Sequence, residues 1–66
     1  MTIIINGDIK EIPNSLNLED VLSFFSLPSQ RVAVELNKTV VPRREWDTTT
    51  VTENDKIEVI HFVGGG

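Results

Sequence analysis

Leu18, Val21, Leu22 and Phe25 fall at i, i+3, i+4 and i+7, a single apolar stripe on a helix over residues 17–25. Nearly every other apolar residue sits in a short strand-like run, so this one stripe has to cover a sheet. Asn17 is placed to cap the helix, and Glu19 and Asp20 stand in the first turn, where the helix dipole favours anions. Phe24 lies off the stripe, at its border, and Leu27-Pro28-Ser29 stops the helix.

The runs on either side read as strands. Residues 2–6, with the uninterrupted Ile3-Ile4-Ile5, suit a central strand covered on both faces. Asn6-Gly7 predicts a tight hairpin, because both residues tolerate the positive φ that a type I′ turn needs. Residues 8–12 return as a second strand; Ile9 and Ile12 are an odd number apart, which predicts a bulge or an edge irregularity. Pro13 ends it. Residues 31–36 form a third strand with Val32, Val34 and Leu36 on one face and Ala33 and Glu35 on the other. Asn37-Lys38 turns it into a short fourth strand, Thr39-Val40-Val41, closed by Pro42. Pro42 suits the start of a helical turn over residues 43–46, with residues 47–51 irregular or extended. Residues 52–55 turn, with Asn54 able to adopt a left-handed conformation, and residues 56–62 are the last strand.

Hairpin, helix, hairpin, helical turn and strand admit few compact solutions. One helix laid across one face of a mixed sheet buries both apolar sets, with the first and last strands as central neighbours. The fold class is therefore α+β: a β-grasp, as in ubiquitin, with four to five strands, one α-helix and a short helical turn. Residues 1–62 make the domain, and residues 63–66 are expected to be a flexible glycine tail.

Composition narrows the chemistry. Sixty-six residues make one domain near the lower limit for folding without a staple. Cysteine is absent and histidine occurs once, at His61, which excludes disulfides, thiolate metal sites and most histidine-based catalytic sets. No bound cofactor is expected. A net charge of −4 argues against nucleic acid and anionic membranes as partners and favours a basic protein surface. No apolar run approaches the roughly 20 residues of a membrane span, and the start lacks the basic, then apolar, pattern of a signal peptide. The expected location is the cytoplasm, and the expected state alone is a monomer.

The strand-like Ile57-Glu58-Val59-Ile60-His61-Phe62-Val63 runs directly into Gly64-Gly65-Gly66. Taken by itself such a tail is an ordinary floppy terminus. On a β-grasp domain it has another use: with no Cβ beside it, the terminal acyl carbon is open on either face, and a bare backbone threads a narrow channel.

Three stretches carry a specific resemblance: Val34-Glu35-Leu36-Asn37 leading to Val41-Pro42-Arg43-Arg44-Glu45-Trp46; Asp55-Lys56-Ile57-Glu58; and His61-Phe62-Val63-Gly64-Gly65-Gly66. Together with the order of elements, they resemble the ubiquitin-like sulfur carriers of thiamine thiazole biosynthesis (ThiS-like proteins) over essentially the whole chain. One departure is Asn54, where such proteins often carry glycine. The resemblance implies a carrier with no catalytic residue of its own. A partner adenylating enzyme would use ATP to activate the Gly66 carboxylate. A sulfur donor would convert the adenylate to a thiocarboxylate, which would then deliver sulfur on a thiazole synthase. Gly64, Gly65 and Gly66 would be the segment that enters the partners' active sites.

Ile60 and Phe62 alternate with Ile57 and Val59, so they are expected on the uncovered face of the sheet. With Val63, Ala33 and Val41 nearby they form a candidate partner interface. Trp46 reads as a plug for the open end of the core. His61 reads as structural or partly exposed, and Arg43 and Arg44 as solvated charges. Glu53-Asn54-Asp55 lacks calcium-loop spacing. Three other readings stay open: the small subunit of molybdopterin synthase, with the same tail chemistry, a modifier that forms isopeptide bonds, and a β-grasp interaction module with an inert tail.

Overall fold

A computed structural model describes residues 1–62 of the chain. In order it contains β1 (Thr2–Ile5), β2 (Asp8–Glu11), α1 (Leu18–Phe24), β3 (Val32–Leu36), β4 (Thr39–Val41), a 3-10 helix (Arg43–Thr48) and β5 (Lys56–His61). The strands form one sheet in the order β2-β1-β5-β3-β4, with β1 and β5 parallel and every other pair antiparallel. This is the β-grasp arrangement predicted from the order of elements.

Turn chemistry sets the register. Asn6 and Gly7 have φ of 48° and 86°, and Asn37 and Lys38 have 52° and 72°, so both two-residue hairpin turns place their central residues in the left-handed region. Asn54, at φ 67°, also takes that conformation without glycine. β3 begins at Val32 rather than at Arg31, whose own φ is 58°.

Strand alternation then builds the core. Ile3 and Ile5 of β1, Val34 of β3 and Ile57 of β5 point to one face, where Leu18, Val21 and Leu22 of α1 cover them. Fully burying each such side chain is worth roughly 1.5–3 kcal/mol. The helix is fixed at its start by a capping box: Asn17 accepts from the Asp20 N–H at 2.7 Å, and Asp20 accepts from the Asn17 N–H at 3.2 Å. The Asn17 amide also donates to the Asp47 carbonyl at 3.1 Å, tying α1 to the 3-10 helix beside it.

Two expectations about the first hairpin are corrected. The isoleucine run is not covered on both faces: Thr2 and Ile4 are only half-buried, on the face opposite α1. The second strand carries no bulge either. Its register runs unbroken from Thr2↔Glu11 to Ile5↔Asp8. The odd spacing separates the two isoleucines between the faces. Ile9, opposite Ile4, is 74% exposed. Ile12 lies past the strand, bonded to Met1 in both directions at 2.6 and 2.9 Å, and joins the core.

The short helical turn is longer than predicted, reaching Thr48, because the Thr48 and Thr49 hydroxyls donate to the Glu45 carbonyl at 3.2 and 2.6 Å. Its Trp46 is 3% exposed and plugs the core as expected. The indole Nε1–H donates to the Val41 carbonyl at 2.9 Å, and the Arg43 guanidinium lies 5.5 Å from the ring centroid. The buried Asp55 locks the approach to β5, accepting from the Thr52 N–H at 2.7 Å and from the Asn37 side chain at 3.0 Å.

Trp46→Ala should cost about 3–5 kcal/mol, comparable with the whole stability of so small a domain, and urea titration should find the variant largely unfolded. Trp46→Phe keeps most of the volume but removes the indole N–H that donates to the Val41 carbonyl. It should lose about 1–2 kcal/mol and still unfold cooperatively.

Candidate functional site

The strand that carries the chain toward its glycines is the middle one of five. β5 pairs with β3 along its whole length, from Val32↔His61 to Leu36↔Ile57, but with β1 only at Ile4↔Lys56 and Ile5↔Ile57. Its last residues therefore run beyond the end of β1, and the Phe62 N–H still donates to the Arg31 carbonyl at 2.7 Å. Asn6 closes the β1 side: its N–H donates to the Ile57 carbonyl at 2.9 Å, and its side-chain Oδ1 accepts from the Val59 N–H at 2.8 Å. The first hairpin's turn residue thus holds the base of the segment that leads to the tail.

Alternation along β5 sorts its residues as the sequence predicts. Ile57 is buried and Val59 packs against the core, whereas Glu58 and Ile60 face away from α1. Ala33 lies directly opposite Ile60 on the neighbouring strand. Ile60 is 45% and Phe62 55% exposed, so this part of the candidate interface is brought together on the open face. Val41 is not part of it. It pairs with the fully buried Val34 and packs against the core, so its side chain is on the helix side. Val40 replaces it, 60% exposed and opposite Glu35. Ile4 and Ile9 extend the apolar surface along the other side of β5, a contribution hidden by reading the isoleucine run as covered on both faces and the Ile9–Ile12 spacing as a bulge or edge irregularity.

The same face holds an electrostatic irregularity. Glu35 and Glu58 are directly opposite across β3 and β5, an arrangement that disfavours the isolated sheet. Among the described residues the single ion pair is Arg44 to Glu45 at 3.8 Å, at the surface, so neither glutamate is compensated by a salt bridge there.

His61 is exposed, and no His/Cys/Asp/Glu cluster able to hold a metal is gathered among the described residues. A cavity of about 260 Å³ between the end of α1 and the first hairpin is lined by Ile5, Asn6, Asp8, Lys10, Phe25 and Leu27, with no hydroxyl, thiol or imidazole side chain among them. No helix among the described residues is long and apolar enough to cross a membrane. Val63, Gly64, Gly65 and Gly66, expected as the tail and part of the partner interface, lie outside the described residues.

A family model, that of the ThiS family, matches residues 3–66. The chain belongs to the ThiS family. It is 33% identical over 63 residues to the sulfur carrier protein ThiS of Bacillus subtilis, a match covering 94% of this chain and 96% of that protein. It is 39% identical over 66 residues to a thiazole synthase of Magnetococcus marinus, where the whole of this chain corresponds to only 20% of the larger protein. Among solved structures, the crystal structure of a thiamine biosynthesis protein (ThiS) from Geobacter metallireducens superposes with a TM-score of 0.88 at 36% identity, each chain covered fully. ThiS-family membership accounts for the β-grasp.

Asn6→Ala should leave the Val59 N–H without its acceptor. The expected result is a loss of about 1 kcal/mol and faster amide exchange at Val59 than at Ile57, measured by hydrogen-exchange NMR.

Proposed function

We propose that this ThiS-family chain is a sulfur carrier for thiazole formation in thiamine biosynthesis, acting as a protein co-substrate rather than a catalyst. The observation that carries the reading is the match to ThiS proteins over nearly the whole of both chains, the Gly64-Gly65-Gly66 stretch included in the family match. A carboxylate oxygen of Gly66 attacks the α-phosphorus of ATP on an adenylating enzyme, and pyrophosphate leaves. The resulting acyl-adenylate is a mixed anhydride whose leaving group, AMP, departs with the bonding pair when a sulfur nucleophile adds to the acyl carbon. The product is a thiocarboxylate, largely anionic at neutral pH and nucleophilic at sulfur. ATP is the partner enzyme's co-substrate, and the proposed location is the cytoplasm.

Two further features support the partners. Thiazole synthases of Paramagnetospirillum magneticum and Magnetococcus marinus contain a segment that this whole chain matches, one fifth of their length. Joining a carrier to the enzyme it serves raises the effective concentration of one at the other. Thiazole synthase is accordingly the proposed acceptor here. The open face offers Ile60, Phe62, Ala33 and Val40, with Glu35 and Glu58 among them, which suits a partner surface that is apolar with basic groups. These relatives also favour the thiamine pathway over the molybdopterin synthase small subunit.

Incubation with ATP, magnesium, sulfide and the adenylating enzyme of the same organism should raise the mass of the chain by the difference between a sulfur and an oxygen atom. Deleting Gly66 should abolish that gain while leaving the urea midpoint unchanged; sulfur uptake by the shortened chain would sink the assignment. Conjugates of high mass would instead identify a protein modifier, and an unchanged mass with an active enzyme would identify an inert module. Ile60→Ser combined with Phe62→Ser should lower kcat/KM for adenylation about tenfold or more, as expected for losing interface anchors, at a stability cost within about 1 kcal/mol.

A further inference from the structure

We infer that the edge of β5 vacated by β1, at Val59 and His61, is where the charging enzyme adds an extended segment of its own main chain. The inference rests on the carrier reading and names how the partner takes hold of the strand ahead of the glycines.

The argument is one of hydrogen-bond direction. Successive residues of a strand turn their N–H and C=O groups to opposite sides. On β5 the even-numbered residues face β3: the Lys56 carbonyl accepts from the Asn37 N–H and the Phe62 N–H donates to the Arg31 carbonyl, both at 2.7 Å. The odd-numbered residues face β1, as the Ile57 carbonyl and the Val59 N–H show by bonding to Asn6. Beyond Asn6 the chain turns away at Gly7, whose φ of 86° starts it back along β2. The Val59 carbonyl and the N–H and C=O of His61 therefore point to a side with no strand. Outside the strand ladders no backbone hydrogen bond among the described residues reaches these three, and the ladder to β3 is made by the even-numbered residues. His61 itself is exposed among the described residues.

Two observations identify an extended main chain as the occupant. The ladder is interrupted on one side only, since β3 supports β5 as far as Phe62, so the free edge is already held in strand geometry. The segment that follows is Gly64-Gly65-Gly66, which has no side chains, so main-chain hydrogen bonding is the chemistry by which it can be held in register. A partner strand beside Val59 and His61 continues the ladder from where the Asn6 side chain ends it, and sets the tail's direction before it reaches an active site.

Proline tests this directly. His61→Pro removes an N–H that faces away from β3, where strands tolerate proline, and leaves the Phe62 and Ala33 pairings intact. His61→Val loses the same imidazole and keeps the N–H. Binding to the adenylating enzyme of the same organism, with ATP and magnesium, should be about five- to tenfold weaker for the proline variant than for the valine variant, the worth of one hydrogen bond. Retained exchange protection at the Phe62 amide checks that the proline variant is folded. In the native sequence, the His61 amide should exchange much more slowly in the complex than free. Equal affinities of the two variants, or an unprotected His61 amide in a native chain that is being adenylated, overturn the inference and leave the carrier reading standing. A native chain that forms no complex and no adenylate overturns the carrier reading, and this inference with it.

Discussion

One helix of two turns has to shield a five-stranded sheet, and most other features of the structure follow from that shortage. Leu18, Val21 and Leu22 reach Ile3, Ile5, Val34 and Ile57, the middle of the sheet. They do not reach its margins. β2 is exposed at all four positions and stays in place through its ladder to β1, whereas the opposite end of the core is closed by Trp46 from a 3-10 helix. The loops are correspondingly tied by specific polar contacts rather than by apolar area. Asn17 joins α1 to the 3-10 helix, Asp55 joins the approach of β5 to Thr52 and Asn37, and Asn6 joins β1 to β5. In a domain this small each of these contacts is a sizeable fraction of the net stability.

Features set by local chemistry were legible in the sequence. The Asn-Gly hairpin, the Asn17 cap with its acidic first turn, the alternation of Val32, Val34 and Leu36, and the left-handed Asn54 each follow from one or two residues and their backbone preferences. What was lost depended on position in the sheet. An apolar run such as Ile3-Ile4-Ile5 does not reveal whether one face or two will be covered, and the Ile9–Ile12 spacing fits a bulge as well as a strand whose end crosses into the core. Val41 was placed on the wrong face because a three-residue strand has too little pattern to fix its parity. Its pairing with Val34 decides the matter.

The site was legible in a different way. The glycine run and the stretches around Pro42 and Trp46 pointed to the family directly, and the placement of Ile60 and Ala33 followed from counting along strands. The side-chain role of Asn6 had no separate signal, since asparagine before glycine is fully explained by the turn. Nor did the Glu35–Glu58 pairing, which requires knowing the β3–β5 register. Both are places where a residue serves something beyond the local rule, as functional surfaces commonly do.

Because β5 lies between two partners, it is also the strand best placed to bear tension. On the proposed carrier reading, an enzyme drawing the residues after Phe62 into a channel would pull along the axis of β5, while the hydrogen bonds to β3 lie across that axis. Such a load is shared over the whole ladder instead of opening it one bond at a time. On that reading the domain would be gripped by its end and withdrawn again without unravelling.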